Sequence, residues 1–507
     1  MFCQVESVGL FGLNAYPVTA EISTGQGMPS VDIVGLADQS VQESRLRIKS
    51  ALENSGIKLP QFSCVVNLSP ANVKKSGSCF DLPILTAMLA AAGAVPTELS
   101  GKAFIGEVSL GGDLCPVQGV LAMAIEAAAR GITELYVPYP NAKEAAVVQG
   151  IRIYGVKTVS ALAAHLRGLA PIKPEPPTEI TEESYKSALD FADVKGQDAV
   201  KGAIETAAAG FHNILMVGPP GTGKSMIAKR IPTILPRMSF EESIETTKIH
   251  SVAGALSPDN PLVTCRPFRS VSHTASSVGL IGGGSIPKPG EISLAHNGVL
   301  FLDEFPEFDR RVIETLRQPL ENGEITISRA AGSVTYPCNI MLVAAMNPCP
   351  CGNYGAEGKT CTCTKNQIAN YLGKISRPIL DRIDIQTEVA PVKYEELSGR
   401  ERSEGSAAMA ERIARAREIQ QQRYKGTSVR ANSGITPDLL HEVCVLDSGA
   451  EEYLRNTFEK SGLSARAYDR ILKVARTCAD LEGSEIIHRK HIARAVGYRS
   501  LDRKYWG

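Results

Sequence analysis

The chain has 507 residues, with 54 Lys+Arg against 54 Asp+Glu, 43% hydrophobic and 21% charged residues. At roughly 100–200 residues per domain this length predicts two to four domains, and the composition excludes a disordered or fibrous chain. Zero net charge excludes a polycation, so any nucleic-acid contact has to come from a local basic surface.

No apolar run approaches the roughly 20 residues that span a bilayer; the richest, Leu82 to Val95, is broken by Gly93. The start, Met-Phe-Cys-Gln-Val-Glu, lacks a basic segment followed by an apolar one. Twelve cysteines are too sparse for a disulfide scaffold and read as reduced thiols, except four that cluster. The expectation is a soluble, cytoplasmic protein with no membrane partner.

In chain order, Cys64-Val-Val-Asn-Leu predicts a strand and Leu82 through Ala92 a helix. Phe104 to Leu110, Gly111-Gly112-Asp113 and Leu114 to Val117 predict a hairpin closed by a glycine turn. Val120 to Arg130 follows as a helix ended by Gly131, and Glu134-Leu-Tyr-Val-Pro resumes a strand. The class is α/β. Four prolines within 171–179 and a polar run to about Ser187 predict a linker. The expected division is 1–170, a linker at 171–187, then 188–395 and 396–507.

The second region opens with a helix over Asp198 to Ala209, ended by Gly210, and a short buried strand, Asn213-Ile-Leu-Met-Val. Directly after it comes Gly218-Pro219-Pro220-Gly221-Thr222-Gly223-Lys224-Ser225, which matches G-x-x-x-x-G-K-[ST], the P-loop. Its glycines let backbone N–H groups wrap a phosphate chain, and the following helix turns its positive end there. Lys224 is expected to reach the β/γ-phosphates of ATP and the Ser225 hydroxyl to ligate Mg²⁺.

Gly298-Val-Leu-Phe-Leu-Asp303-Glu304 is a second apolar strand, delivering two acids at its carboxyl end, where open α/β sheets bind ligands. Asp303 is expected to hold Mg²⁺ and Glu304 to orient and deprotonate the attacking water. Met341 to Met346 is a third strand, ending at Asn347, a candidate for the γ-phosphate or the lytic water. Cys349-Pro-Cys351 and Cys361-Thr-Cys363 offer four thiolates in two close pairs, suited to a structural tetrahedral Zn²⁺; free thiols or a redox pair are the alternatives. Beyond about Val392 the pattern is almost wholly helical. Its basic stretch, Arg412, Arg415, Arg417, Arg423, Lys425 and Arg430, reads either as a solvated helix face or as the wall of a DNA path.

With these strings in place the chain resembles the AAA+ ATPases of the magnesium-chelatase-like group, specifically the YifB/ComM family. The likeness spans nearly the whole chain and rests on Pro289 to Glu304, Ala345-Met-Asn-Pro-Cys-Pro-Cys-Gly and Leu380-Asp-Arg-Ile-Asp. It implies a homo-hexameric ring and DNA, single-stranded or branched, as the cargo of a branch-migration helicase. It makes Arg382 the arginine finger that reaches a neighbouring subunit's nucleotide, and Arg466 the sensor-2 arginine of a carboxy-terminal helical lid. A guanidinium suits both tasks because it stays charged and grips phosphate bidentately.

Ser272 to Gly290 corresponds in the resemblance to an insert facing the ring's pore, and its Gly282-Gly283-Gly284 reads as a mobile loop. Glu324 to Tyr336 alternates like a hairpin with Arg329 near its turn. Lys288 and Arg329 are DNA-contact candidates, with ordinary loop charges the alternative. The first region resembles the Lon-protease-type domain of the ribosomal-S5 superfold. Its serine position falls at Cys79, beside Ser78, and its lysine position at Leu121. A leucine cannot act as a general base, so the proteolytic dyad is missing. The competing functional reading is a magnesium-chelatase-type motor driving metal insertion into a porphyrin.

Overall fold

The computed structural model describes residues 1–25, 28, 30–57, 63–178, 188–284, 287–329, 332–355, 359–392, 394, 403–461 and 464–506. The chain divides into two compact units. One comprises Met1–Thr181 with Phe240–Val263 and Gly332–Tyr336; the other comprises Glu182–Ser239, Thr264–Ala331 and Pro337–Gly507. Part of the expected linker, 179–187, and the expected boundary near 395 lie outside the described residues.

The first unit is built on a seven-stranded mixed sheet in the order Ser30–Val34, Ser63–Ser69, Asn14–Gly25, Phe2–Phe11, Lys102–Phe104, Glu134–Pro138, Arg152–Val156. The period-2 alternation that makes a half-buried strand is plain in Phe2–Phe11, where Cys3 and Val5 face the core and Phe2, Gln4 and Glu6 face out. The strand expected at Cys64 spans Ser63–Ser69, and the helix expected from Leu82 spans Asp81–Ala91 with every residue buried. The expected hairpin pairs Glu107 with Cys115 across a turn in which Gly112 has φ 89°. Of the proline-rich stretch, Glu175 donates its backbone N–H to Ile153 O at 2.8 Å, on the edge strand of the sheet.

The second unit holds a five-stranded parallel sheet, ordered Phe268–Val271, Val299–Leu302, Met341–Met346, Ile214–Val217, Ile385–Glu388. Its three central strands are apolar without alternation and wholly buried, as befits a parallel sheet covered on both faces. Helices Asp198–Gly210, Ser406–Arg423 and Ala465–Leu481 share one core with that sheet, joining Ala203, Met409, Ile413 and Leu472 to Ile214 and Val343. The carboxy-terminal part is helical, as expected. Among the described residues no helix is long and apolar enough to cross a membrane.

Two local expectations are corrected. The helix expected over Asp198 to Ala209 runs one residue further, Asp198–Gly210, and the left-handed residue that follows it is Phe211, at φ 56°. Gly210 is there because a Cβ would lie 2.3 Å from the His212 ring. Gly282 and Gly283 are not a free loop but buried residues in a short ladder, Gly282 opposite Pro289 and Gly283 opposite Lys288. A Cβ on Gly282 would stand 2.2 Å from Lys288 O, so glycine serves a close backbone approach. Ser285 and Ile286 lie outside the described residues.

Candidate functional site

The strand Ile214–Val217 runs straight into Gly218, and Gly221 and Gly223 then take φ 81° and 86°, which L side chains rarely adopt. Helix Lys224–Ala228 starts at once, so the loop's amides and the helix's first N–H groups open at the carboxyl end of the sheet. Pro219, Pro220 and Thr222 complete the loop, with the Thr222 hydroxyl donating to Pro219 O at 3.0 Å.

Lys224 is buried, and its Nζ donates to Gly218 O (2.7 Å), Pro219 O (2.9 Å) and Asn347 Oδ1 (3.2 Å). Burial lowers its pKa, while the charge of Asp303 works the other way. The Ser225 hydroxyl donates to Asp303 Oδ2 at 2.5 Å, and Asp303 Oδ1 accepts the Glu304 N–H at 3.0 Å. Four residues from three neighbouring strands therefore converge: Lys224 and Ser225, Asp303, and Asn347. The arrangement suits a polyphosphate with a divalent cation, because an ammonium, amide donors and a hydroxyl–carboxylate pair meet at one point.

Glu304 sits at φ 52°, a left-handed conformation costly for a residue with a side chain. Its carboxylate is more than half exposed and lies 3.2 Å from His273 Nδ1, which follows the neighbouring strand Phe268–Val271. Nothing in the spacing of the sequence pointed to His273; strand order alone brings it there.

Arg382 and Arg466 are placed elsewhere. They line a 430 Å³ cleft with Asn213, Glu321, Asp384, Asp469, Arg470 and Lys473. Asn213 and Asp384 immediately precede the strands Ile214–Val217 and Ile385–Glu388, so this cleft opens at the amino ends of the parallel strands. Five residue steps separate Asn213 from Gly218, roughly 16 Å at strand rise. Arg382 is ion-paired with Glu321 and donates to Pro378 O at 2.7 Å, while its buried Nε has no hydrogen-bond partner among the described residues. The Glu321 carboxyl is held below the usual range by Arg382 and then Arg466.

Beneath the cleft, Asp384 is held by His212 Nδ1 at 3.1 Å and by Arg470 at 3.4 Å. His212 Nε2 in turn lies 2.8 Å from Thr477 Oγ1 on helix Ala465–Leu481. Burial would raise the Asp384 pKa, but the His212 hydrogen bond and the charges of Arg470 and His212 outweigh it and hold it at about 2.

The four clustered cysteines come together: Cys349, Cys351, Cys361 and Cys363 have sulfurs within 4.8 Å of one another. Three sulfur pairs stand at 3.4, 3.6 and 3.7 Å. A zinc ion at 2.3 Å from each of four sulfurs would space them about 3.8 Å apart, so the set fits. Backbone N–H groups of Cys351 and Tyr354 point at Cys363 and Cys349 sulfurs. Hydrogen bonds from the Asn353 and Thr362 backbone draw the Cys351 thiol down to about 5. Cys361 stands at about 12 despite a backbone donor from Cys363, because burial and its sulfur neighbours favour the proton.

Lys288 and Arg329 are brought to one place. Lys288 faces Gly283 in the ladder, and a Cβ on Gly283 would sit 3.1 Å from Arg329 Nη2. Both side chains are exposed. In the basic stretch beyond 411, Arg412 is paired with Glu205 and Glu404, Arg423 with Asp480, and Arg417 is buried, while Arg415, Lys425 and Arg430 are exposed.

In the first unit Leu121 is fully buried and gives its N–H to Glu144 Oε1 at 2.9 Å. Ser78 hydrogen-bonds Glu107, and burial, with Asp81 nearby, pushes the Cys79 thiol up to about 12. Leu121, where the resemblance expects a lysine, has no ionisable side chain.

Comparison with known proteins agrees with this geometry. The family described as magnesium chelatase, subunit ChlI, matches residues 190–397; subunit ChlI of Mg-chelatase matches 20–141; and the ChlI C-terminal family matches 403–499. The chain is 42% identical over 508 residues to the competence protein ComM of Haemophilus influenzae, covering 98% of this chain and 97% of that one. It is 40% identical over 502 residues to YifB of Escherichia coli, with coverage of 98% and 97%. The magnesium-chelatase 38 kDa subunit of Rhodobacter capsulatus is 23% identical over 227 residues, 41% of this chain and 61% of that protein. Similarity at this level over essentially the full length leaves one conclusion: the chain belongs to the YifB/ComM family of magnesium-chelatase-like proteins.

Proposed function

We propose that this chain is an ATP-hydrolysing AAA+ motor of the cytoplasm that works as a homo-hexameric ring on single-stranded or branched DNA, driving branch migration. The convergence of Lys224, Ser225, Asp303 and Asn347 at the carboxyl ends of three strands carries the ATPase part. In this reading loop 218–225 and Lys224 grip the triphosphate, Ser225 and Asp303 hold Mg²⁺, and Asn347 contacts the γ-phosphate. Glu304 is the base for the attacking water once it leaves His273.

Arg382 and Arg466 lie at the other end of the same sheet, roughly 16 Å of strand away. Both therefore act on the nucleotide of an adjoining copy, and the active site is complete only between subunits. Residues 1–170 form a Lon-like platform without proteolytic chemistry, 188–395 the ATPase core with a structural Zn²⁺ on its four cysteines, and 396–507 the lid.

DNA is favoured over a tetrapyrrole partner by the exposed Lys288 and Arg329, both beside Gly283, and by 42% identity over 98% of this chain to a competence protein, against 23% identity over 41% and 63% of this chain to two magnesium-chelatase 38 kDa subunits. The test is ATP turnover and branch migration with forked DNA, with a porphyrin and with neither, using wild type and Glu304→Gln. Stimulation by DNA, with a variant that binds ATP and stalls, is expected. No binding or stimulation at low salt, where phosphate contacts are strongest, would overturn the DNA assignment.

A further inference from the structure

The cleft that holds Arg382 and Arg466 contains more positive charge than those two residues supply. Arg466, Arg470 and Lys473 lie at i, i+4 and i+7 of helix Ala465–Leu481, so one helix face lines the cleft with three cations. Arg382 enters from the loop before Ile385. Against these four cations stand Glu321, Asp384 and Asp469. Glu321 is committed to Arg382, and Asp384 is shared between His212 and Arg470.

Lys473 has no carboxylate partner among the described residues; its Nζ donates only to the Ser433 carbonyl, at 3.2 Å. Burial lowers its pKa; the charges of Asp384 and Asp469 oppose this and that of Arg470 adds to it. Asp384 is already shared between His212 and Arg470, so a partly desolvated ammonium hydrogen-bonded to one neutral carbonyl leaves room for a further anion. The buried Arg382 Nε, which lacks a hydrogen-bond partner among the described residues, is a second donor in the same cleft.

Resting on the reading that this cleft serves an adjoining copy, we propose that Lys473 is a further catalytic residue. Its ammonium contacts the polyphosphate carried in the neighbour's glycine loop, beside Arg382 and Arg466. An ammonium complements the two guanidiniums because it is a compact point charge that reaches a non-bridging oxygen without the planar alignment arginine needs. Charge aimed where the transferring phosphoryl group gathers it acts on the transition state more than on binding.

The test uses the full chain and its natural nucleotide, with Lys473→Met and with Lys473→Gln, which keeps a donor for the Ser433 carbonyl and drops the charge. Both are expected to lower kcat on the order of 10- to 100-fold with little change in KM. Lys473→Arg is expected to recover part of the loss. Mixing Lys473→Gln chains, whose glycine loop is intact, with Lys224→Ala chains, whose cleft is intact, is expected to yield turnover well above the sum of the two alone.

If Lys473→Gln turns over like wild type, the Ser433 contact is all that matters and the proposal falls. If Lys473→Gln is impaired and the mixture gives no gain, Lys473 does not act across the junction and the proposal falls as well. Neither outcome touches the ATPase reading, which fails separately if Lys224→Ala leaves turnover intact.

Discussion

Ser225 Oγ donates to Asp303 Oδ2 at 2.5 Å, joining the last residue of the glycine loop to the acid that closes an apolar strand two places away in the sheet. A hydroxyl and a carboxylate this close offer a divalent cation two oxygen ligands from separate strands. Asp303→Asn is expected to reduce kcat about 100-fold or more and raise the Mg²⁺ concentration needed for half-maximal turnover. Colorimetric phosphate release across a Mg²⁺ titration reads this; an unshifted titration would remove Asp303 from the metal site.

Placement of Arg382 and Arg466 away from the glycine loop predicts that specific activity rises with protein concentration. Arg382→Ala is expected to lower kcat by roughly 10³ or more while nucleotide binding persists. Turnover measured over a dilution series, beside fluorescent-nucleotide titration, checks both statements. Activity that is flat on dilution to monomer would exclude a site shared between copies.

The buried Asp384 gives a pH dependence with a defined sign. Its folded value, about 2, lies below the ordinary carboxylate range, so its contribution is present above about pH 4. That contribution is lost as pH falls toward 2 and amounts to about 2 kcal/mol by linkage. Denaturant unfolding of wild type and Asp384→Asn at pH 5 and at pH 2.5 should show a stability gap that narrows at the lower pH. A gap independent of pH would mean that the His212–Asp384–Arg470 arrangement does not hold the charge.

For the cysteines, one Zn²⁺ per chain is expected after metal-free purification and zinc titration, read by elemental analysis. Cys351→Ser should lower both the metal content and the thermal midpoint. A chain that binds no zinc yet unfolds at the same temperature would leave four thiols without a structural role.

Lys288→Ala together with Arg329→Ala is expected to weaken DNA binding and to flatten the slope of log affinity against log salt by about one to two contacts. Fluorescence anisotropy with a forked duplex at several salt concentrations measures it. An unchanged slope would return both residues to the class of loop charges.

What the sequence disclosed, it disclosed where the signal is local. The glycine loop, Asp303 and Asn347 each sit at the end of an apolar run, and short buried strands bounded by glycine or acid are readable as such. The cationic cleft was not readable: Asn213, Glu321, Arg382 and Lys473 are brought together only by strand order and by one helix face. His273 escaped notice for the same reason, since its partner Glu304 lies on a neighbouring strand. Gly282 and Gly283 misled because glycine serves both loose loops and tight backbone contact, and sequence does not tell the two apart. Arg412 and Arg423 looked like a basic face because Glu205, Glu404 and Asp480, which neutralise them, lie 8 to 207 positions away in the chain.

Loop 218–225 and the cationic cleft occupy opposite ends of one parallel sheet. A molecule that gives from one end and receives at the other meets its copies head to tail, through two different surfaces instead of one matched to itself. Such a contact has no built-in stopping point: repeated at one angle it closes on itself, and at another it winds on as a filament. In the proposed ring, small changes where the cleft would meet its neighbour set how many copies assemble, without touching the chemistry at all.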